Sequence, residues 1–503
     1  GESALDASVS GEHNTAVGKD TLTATTSGSQ NTAIGSLALD ANTTGSDNTG
    51  LGQFSLSGNT TGIENTAAGQ AALAENTSGG QNTAVGNDAL RNNSTASNNT
   101  AVGKSALTTN TTGDINVAVG AFALRDNTTA NNNTACGGYA LATNTTGTKN
   151  TGIGRGALAV NTTASNNTGV GYFTLVANTT GASNVAVGTD ALKANTTANN
   201  NTAIGYAAMQ SNTTGTSNVG VGNVALDANT TGGENTAVGE ESLGANTTAT
   251  LNTATGFHSL KDNTTGSSNT AFGGKSLRDN STGGNNTAIG KSALISNTTA
   301  NDNTAVGVEA LANNTTGGLN TAVGNEALEL NTTGSNITAL GALCLASAAT
   351  GSGNVGTTAA GYAAGRYASG ANKSVLIGYE AGHRITGGDD YTFVGYQCGG
   401  AVDGNNITGQ SHTAIGAFAL NKVTSAVYNT ALGKSSLAAC STGSYNLGVG
   451  PFSLGNGVVT GDRNVAVGYT SMYQNTGGEQ NVAVGYQSLY NNTTGDRNTA
   501  VGY

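Results

Sequence analysis

One 17-residue unit recurs through most of this chain, and it limits the fold more than any other feature. It reads Asn-Thr-Ala-Val-Gly, two free residues, Ala-Leu, two free residues, Asn-Thr-Thr-Gly, two free residues. Asn14, Asn31, Asn48, Asn65 and Asn82 open the first five full copies, and the step continues without a slip to Asn303 and Asn320. A fixed short period predicts a solenoid, in which each copy stacks on the last and buries what a single copy cannot. The expected fold class is all-β: a parallel β-solenoid of the β-roll or β-helix kind, one coil per 17 residues.

Counting from the opening Asn as slot 1, slot 2 is usually Thr or Val, slot 3 Ala or Gly, slot 4 Val or Ile, slot 5 Gly, slot 8 Ala or Ser, and slot 9 Leu. Slots 12 to 14 are mostly Asn-Thr-Thr, and slot 15 is Gly or Ala. In the regular array, charged residues occupy only slots 6, 7, 10, 11, 16 and 17, as at Lys19, Asp20, Arg125, Asp126 and Glu234. Those pairs therefore read as solvent-facing corners. The three segments between them, Thr-Ala-Val, Ala-Leu and Thr-Thr, are too short for helices and read as strands. Val at slot 4 and Leu at slot 9 are expected to point inward. Gly at slots 5 and 15 is expected to supply positive φ or tight corners. Roughly 29 coils at ~4.8 Å would make a rod on the order of 140 Å long.

Asn at slots 1 and 12 suits stacked amide ladders, with Asn31, Asn48, Asn65 and Asn82 in one column and Asn42 and Asn59 in the other. The Asn-Thr-Thr triplets at Asn42, Asn59 and Asn110 also match the N-glycosylation acceptor pattern. Slot 3 admits only Ala or Gly from Ala16 to Gly356. Two causes would enforce that: crowding inside a thin coil, or a close subunit contact at residues such as Ala101 and Ala118.

Composition excludes several functions. The chain holds 77 Gly, one Pro, no Trp and only 9% charged residues, with a net charge of −11. Acidity with no basic stripe argues against nucleic acid as a partner. No apolar run approaches a membrane-spanning helix, so no membrane insertion is expected in this segment. The four Cys form no CxxC pair, which argues against a disulfide framework or metal site. Cys136, in slot 4, reads as a small buried hydrophobe. Nothing forms a catalytic constellation, a phosphate loop or a recurrent Asp turn for Ca²⁺, so no cofactor and no enzyme activity are expected. Both ends cut through the repeat, which suggests a stretch of a longer polypeptide.

The array divides into regular repeats over 1–336, irregular coils with lengthened corners over 337–428, and resumed repeats over 429–503. In the irregular stretch slot 3 becomes Leu376 and then Phe393. Tyr362, Tyr367, Tyr379, Tyr391, Asn405 and Asn406 there are the candidate contacts for a surface glycan or protein receptor.

Asn31-Thr-Ala-Ile-Gly35 and Asn464-Val-Ala-Val-Gly468 resemble the head repeats of trimeric autotransporter adhesins. The stretch from Asn481 to Gly495 is similar to repeats of phage tail-fibre-type proteins. The resemblance implies a left-handed β-roll, a homotrimer, and a place outside the cell, on a cell or virion surface. It carries over no catalytic residue. The leading expectation is a structural and adhesive fibre segment. The alternatives are an ice-binding solenoid that presents the Thr pair of slots 13 and 14, as in Thr43-Thr44 and Thr60-Thr61, and a polysaccharide-degrading β-helix enzyme.

Overall fold

The computed structural model describes residues 2–6, 10–347, 355–400, 404 and 406–503. It is an all-β solenoid with one strand per coil and every strand pair parallel. Two compact units divide the chain, 1–250 and 251–503. The first carries fourteen strands from β1 (Thr15–Val17) to β14 (Thr236–Val238), and the second fifteen from β15 (Thr253–Thr255) to β29 (Thr499–Val501). Each strand is only three residues long, always slots 2 to 4, and pairs in register with its equivalents: Thr15 with Thr32, Ala16 with Ala33, Val17 with Ile34.

The Ala-Leu and Thr-Thr segments do not form strands as the sequence suggested, yet they are hydrogen-bonded between coils. Leu39 N–H donates to the Ser55 carbonyl (3.0 Å), Ala41 to Ser57 (3.1 Å) and Thr43 to Thr60 (2.9 Å), all in the next coil, whereas Leu37 donates back to Lys19 (2.9 Å). The backbone there departs from strand geometry because slots 7 and 9 lie in the left-handed region, as at Asp88 (φ 57°) and Leu90 (φ 51°). Slot 17 does the same, as at Gln81 (φ 60°). Left-handed geometry costs roughly 1–2 kcal/mol per non-glycine residue. At slot 9 that cost is offset by burying Leu, worth about 1.5–3 kcal/mol. The expectation that Gly supplies the positive φ holds at slot 5, where Gly86 has φ 134° and a Cβ would sit 2.6 Å from the Gly103 carbonyl oxygen. At slot 15 small size is needed for space instead: a Cβ on Gly62 would meet the Gly79 carbonyl and the Asn59 Oδ1 at 2.4 Å.

The core consists of slots 1, 3, 8, 9, 12 and 15. Leu90 and its slot-9 equivalents are fully buried. Val at slot 4 is not: Val85 is 39% exposed and Val17 55%. Ala84 and Ala101, in slot 3, are 0% exposed. The inward assignment of slot 4 is therefore overturned, and the subunit-contact reading of slot 3 goes with it. Strand side chains alternate faces, so slots 2 and 4 share one side and slot 3 takes the other. Slot 3 is small because the coil is thin. A Cβ added at Gly152 would lie 3.3 Å from Leu141 of the preceding coil. Ala118→Leu should accordingly destabilise the single chain itself, by at least the 1–3 kcal/mol usual for overpacking. Denaturant unfolding of the Ala118→Leu variant would measure it, and an unchanged midpoint would refute the packing.

Both amide columns are present. In slot 1, Asn48 Oδ1 accepts from Asn65 N–H (3.0 Å) and Nδ2 (3.1 Å), and Asn48 in turn donates to Asn31 Oδ1 (3.2 Å). In slot 12, Asn59 Nδ2 donates to Asn42 Oδ1 (2.9 Å). The two columns converge on the slot-15 carbonyl. Gly62 O accepts from Asn48 Nδ2 (2.8 Å) and from Asn59 Nδ2 (3.1 Å). Every Asn from Asn31 to Asn314 in these two slots is fully buried, and buried polar groups persist only when paired this way. The amide nitrogens of Asn42, Asn59 and Asn110 are committed to these bonds inside the core, so the folded coil gives a glycosylating enzyme no access to them.

In the irregular stretch the core changes composition without changing its plan. Slot 12 becomes an apolar column of Ile385, Ile407 and Val423, which continues into the resumed repeats as Cys440 and Val459, all buried. Slot 1 becomes Ile337, Thr357, Ser374, Tyr391 and His412, also buried. Leu376 and Phe393 point inward at slot 3, and glycine replaces Leu at slot 9 beside them. A Cβ on Gly382 would meet Leu376 at 2.7 Å, and one on Gly399 would meet the Phe393 ring at 2.3 Å. The large side chain has moved from slot 9 to slot 3, and core volume is kept.

Candidate contact surfaces

The outward face of the sheet carries two columns. Slot 2 supplies Thr, or sometimes Val, and slot 4 supplies a nearly unbroken line of branched aliphatics. Ile34, Val119, Ile153 and Ile204 represent it in the first unit, and Ile289 and Ile415 in the second, all exposed. No charged residue enters either column. Charges lie in the flanking corners, and no Asp, Glu, Lys or Arg is buried among the described residues. Exposed apolar side chains scattered singly mean little. A contiguous line of them bordered by polar residues marks an interaction surface. Sequence reasoning missed it because apolar residues were assigned to the core. Period-two alternation through Thr-Ala-Val was the available signal.

The candidate contacts of the irregular stretch separate. Tyr362 and Tyr379 are exposed at slot 6, and Tyr379 stacks on Tyr362 and on Tyr396, with ring centroids 5.4 and 5.1 Å apart. Tyr367 lies at slot 11 against the His383 ring (5.1 Å), with the Arg366 and Arg384 guanidinium groups 5.2 and 5.1 Å from its ring centre. Tyr391 is unavailable to a partner. It is fully buried in slot 1, where its hydroxyl donates to the Gly387 and Gly409 carbonyls. Asn406 is exposed, and Asn405 lies outside the described residues.

Tyr391, Phe393 and His412 form a buried aromatic cluster, with the His412 ring 5.9 Å from Tyr391 and 6.5 Å from Phe393. His412 Nδ1 accepts the Asn429 N–H (3.2 Å), standing in for the ladder amide. Burial pushes its pKa down to about 4, against a smaller opposing effect of the Ala426 backbone. Burial also pushes the thiols of Cys344, Cys398 and Cys440 up to about 12. Cys136 is exposed rather than buried, because slot 4 faces outward.

The Thr pair of slots 13 and 14 is half spent. Thr43 Oγ1 donates to the Thr60 carbonyl (3.0 Å), and Thr60 to Thr77 (2.9 Å), which leaves slot 14 as the exposed column. Among the described residues no group of three His, Cys, Asp or Glu could hold a metal ion, and no helix is long and apolar enough to cross a membrane. No family model and no curated protein matches this chain.

Proposed function

We propose that this chain is a non-catalytic structural and adhesive fibre segment, displayed outside a cell or on a virion, that works as a homo-oligomer with the slot-4 face at the subunit contact. The charge-free aliphatic column on the outward sheet face carries this reading. Fourteen strands at ~4.8 Å, each about 10 Å wide, give the first unit a face of roughly 650 Å². Flanking side chains of slots 6 and 17, such as Tyr206 and Ile115, are also exposed and bring it close to the ~800 Å² per partner of a stable interface. Hydrogen bonding between coils at nearly every second residue supplies the rigidity a fibre needs. The trimer rests on the resemblance to adhesin heads.

Light scattering of the purified chain is expected to give a trimer. Replacing Val119, Val187 and Ile204 together by Lys should dissociate it while leaving the coils folded, since surface substitutions of this kind typically cost within ±0.5 kcal/mol each. A monomeric wild type, or an assembly indifferent to the three lysines, would overturn the reading.

One observation favours a second reading. Thr32, Thr49, Thr66, Thr83 and Thr100 stand in register beside the aliphatic column, a regularly spaced array able to order water. Thermal hysteresis in the micromolar range by the wild-type chain, abolished by the same lysines, would establish ice binding in place of self-association.

A further inference from the structure

Near the end of the second unit, two tyrosine columns run side by side. Tyr469 and Tyr486 occupy slot 6, stacked at 5.5 Å, and Tyr486 stacks in turn on Tyr503 at 5.0 Å. Tyr473 and Tyr490 occupy slot 10, stacked at 5.3 Å. Between the columns lies an open groove of about 310 Å³, with Thr470 and Gln487 from slot 7 on its floor and Phe452 at one end.

Three features make this more than a row of exposed rings. First, all the lining residues are uncharged, whereas slots 6, 7 and 10 hold charges in many other coils, such as Lys19, Asp88 and Arg125. Second, the rings stack along the solenoid, which leaves their edges to line the groove. Phe452 meets Tyr469 edge-on at 6.1 Å and closes that end of the column. Third, Gln487 is exposed on the floor and presents its carboxamide there, whereas the Thr470 hydroxyl beside it is closed to solvent.

We infer that this groove is a binding site for a neutral carbohydrate chain, with Tyr469, Tyr473, Tyr486 and Tyr490 as its walls and Gln487 as the hydrogen-bonding group on its floor. Tyr offers a rigid, amphipathic surface at low entropic cost. Four phenol hydroxyls and one carboxamide match a polyhydroxyl ligand better than an apolar one. Lack of charge selects against sialylated or sulfated glycans. The pair of walls occurs in two successive coils, Tyr469 with Tyr473 and Tyr486 with Tyr490, so a short oligosaccharide laid along the groove meets the same chemistry twice. The inference supplies a ligand class for the adhesive reading and rests on it.

The test uses the full chain on a printed array of neutral and sialylated oligosaccharides, followed by titration calorimetry with the neutral glycan retained most strongly. Wild type should prefer neutral glycans. Tyr473→Ala with Tyr490→Ala should weaken binding at least tenfold, and Gln487→Ala several-fold. Unchanged urea midpoints and an unchanged oligomeric state would show that the fold is retained. Tyr473→Phe with Tyr490→Phe separates ring from hydroxyl, with an intermediate loss expected. No neutral glycan retained, binding unaffected by the double alanine variant, or preference for a proline-rich peptide would each overturn the proposal. Assembly through the slot-4 face could survive any of those results, so failure of the groove and failure of the fibre reading are distinguishable.

Discussion

Asn65→Asp is expected to destabilise the coils around it by about 3–5 kcal/mol at neutral pH, the range for an uncompensated buried charge. Asn65 donates through Nδ2 to Asn48 Oδ1 (3.1 Å) and to the Gly79 carbonyl (2.9 Å), and accepts at Oδ1 from Asn82 N–H and Nδ2 (3.0 and 3.1 Å). Aspartate keeps the two acceptances. It replaces the donor with a carboxylate oxygen facing two other oxygens, in a site closed to water. Its pKa must therefore rise in the folded state. A group with a raised folded pKa is best tolerated below its unfolded value, so the penalty should shrink as pH falls toward 4, where a protonated carboxyl restores one donor. Asn65→Ala should cost less, about 1–3 kcal/mol, chiefly from the orphaned Asn82 N–H. Solenoid stability is set largely by nearest-neighbour terms. Hydrogen exchange should thus show lost protection concentrated in the coils flanking residue 65. Wild-type protection for Asn65→Asp at pH 7 would refute the donor and acceptor roles assigned to the ladder.

His412 should make the irregular stretch acid-sensitive. Its folded pKa is about 4, against about 6.5 for an unperturbed imidazole. Between these values the unfolded chain binds a proton that the folded coil refuses, so stability rises with pH across that window. The stabilisation is fully present above about pH 6.5 and falls progressively to pH 4, a total of on the order of 3 kcal/mol. His412→Asn would restore the usual ladder residue facing Asn429 and should remove most of that dependence. Hydrogen exchange in the coils beginning at Tyr391 and His412, compared at pH 7 and pH 4.5 for both proteins, reads it directly. Equal acid loss in the His412→Asn chain would show that other groups govern it.

Much of this architecture was legible in the residues. A step of 17 from Asn14 to Asn320 requires stacking in register. Charges confined to slots 6, 7, 10, 11, 16 and 17 mark the exposed corners. Recurrent amides at slots 1 and 12 mark ladders, because Asn repeated at one slot can hydrogen-bond to its own equivalent along the axis. Leu at slot 9 marks the core. The contact surface was not read correctly. Apolar Val and Ile at slot 4 looked like core, and small Ala at slot 3 fitted either crowding inside a thin coil or a surface pressed by a neighbour. Alternation through Thr-Ala-Val allows only one of those two slots to face inward, and hydrophobicity alone chose the wrong one.

Tertiary structure decided the matter through volume. With a fully buried Leu entering from slot 9 and two amides closing on the slot-15 carbonyl, the thin coil has room for one methyl group at slot 3. Val at slot 4 must then stand outside. The irregular coils follow the same constraint in reverse: where Gly382 and Gly399 vacate slot 9, Leu376 and Phe393 fill slot 3. Sequence by itself determined the period, the ladders and the corners, which depend on residues repeating along the axis. Which strand face is inside depends on the width of the coil, and that width is set by contacts between slots distant in the repeat.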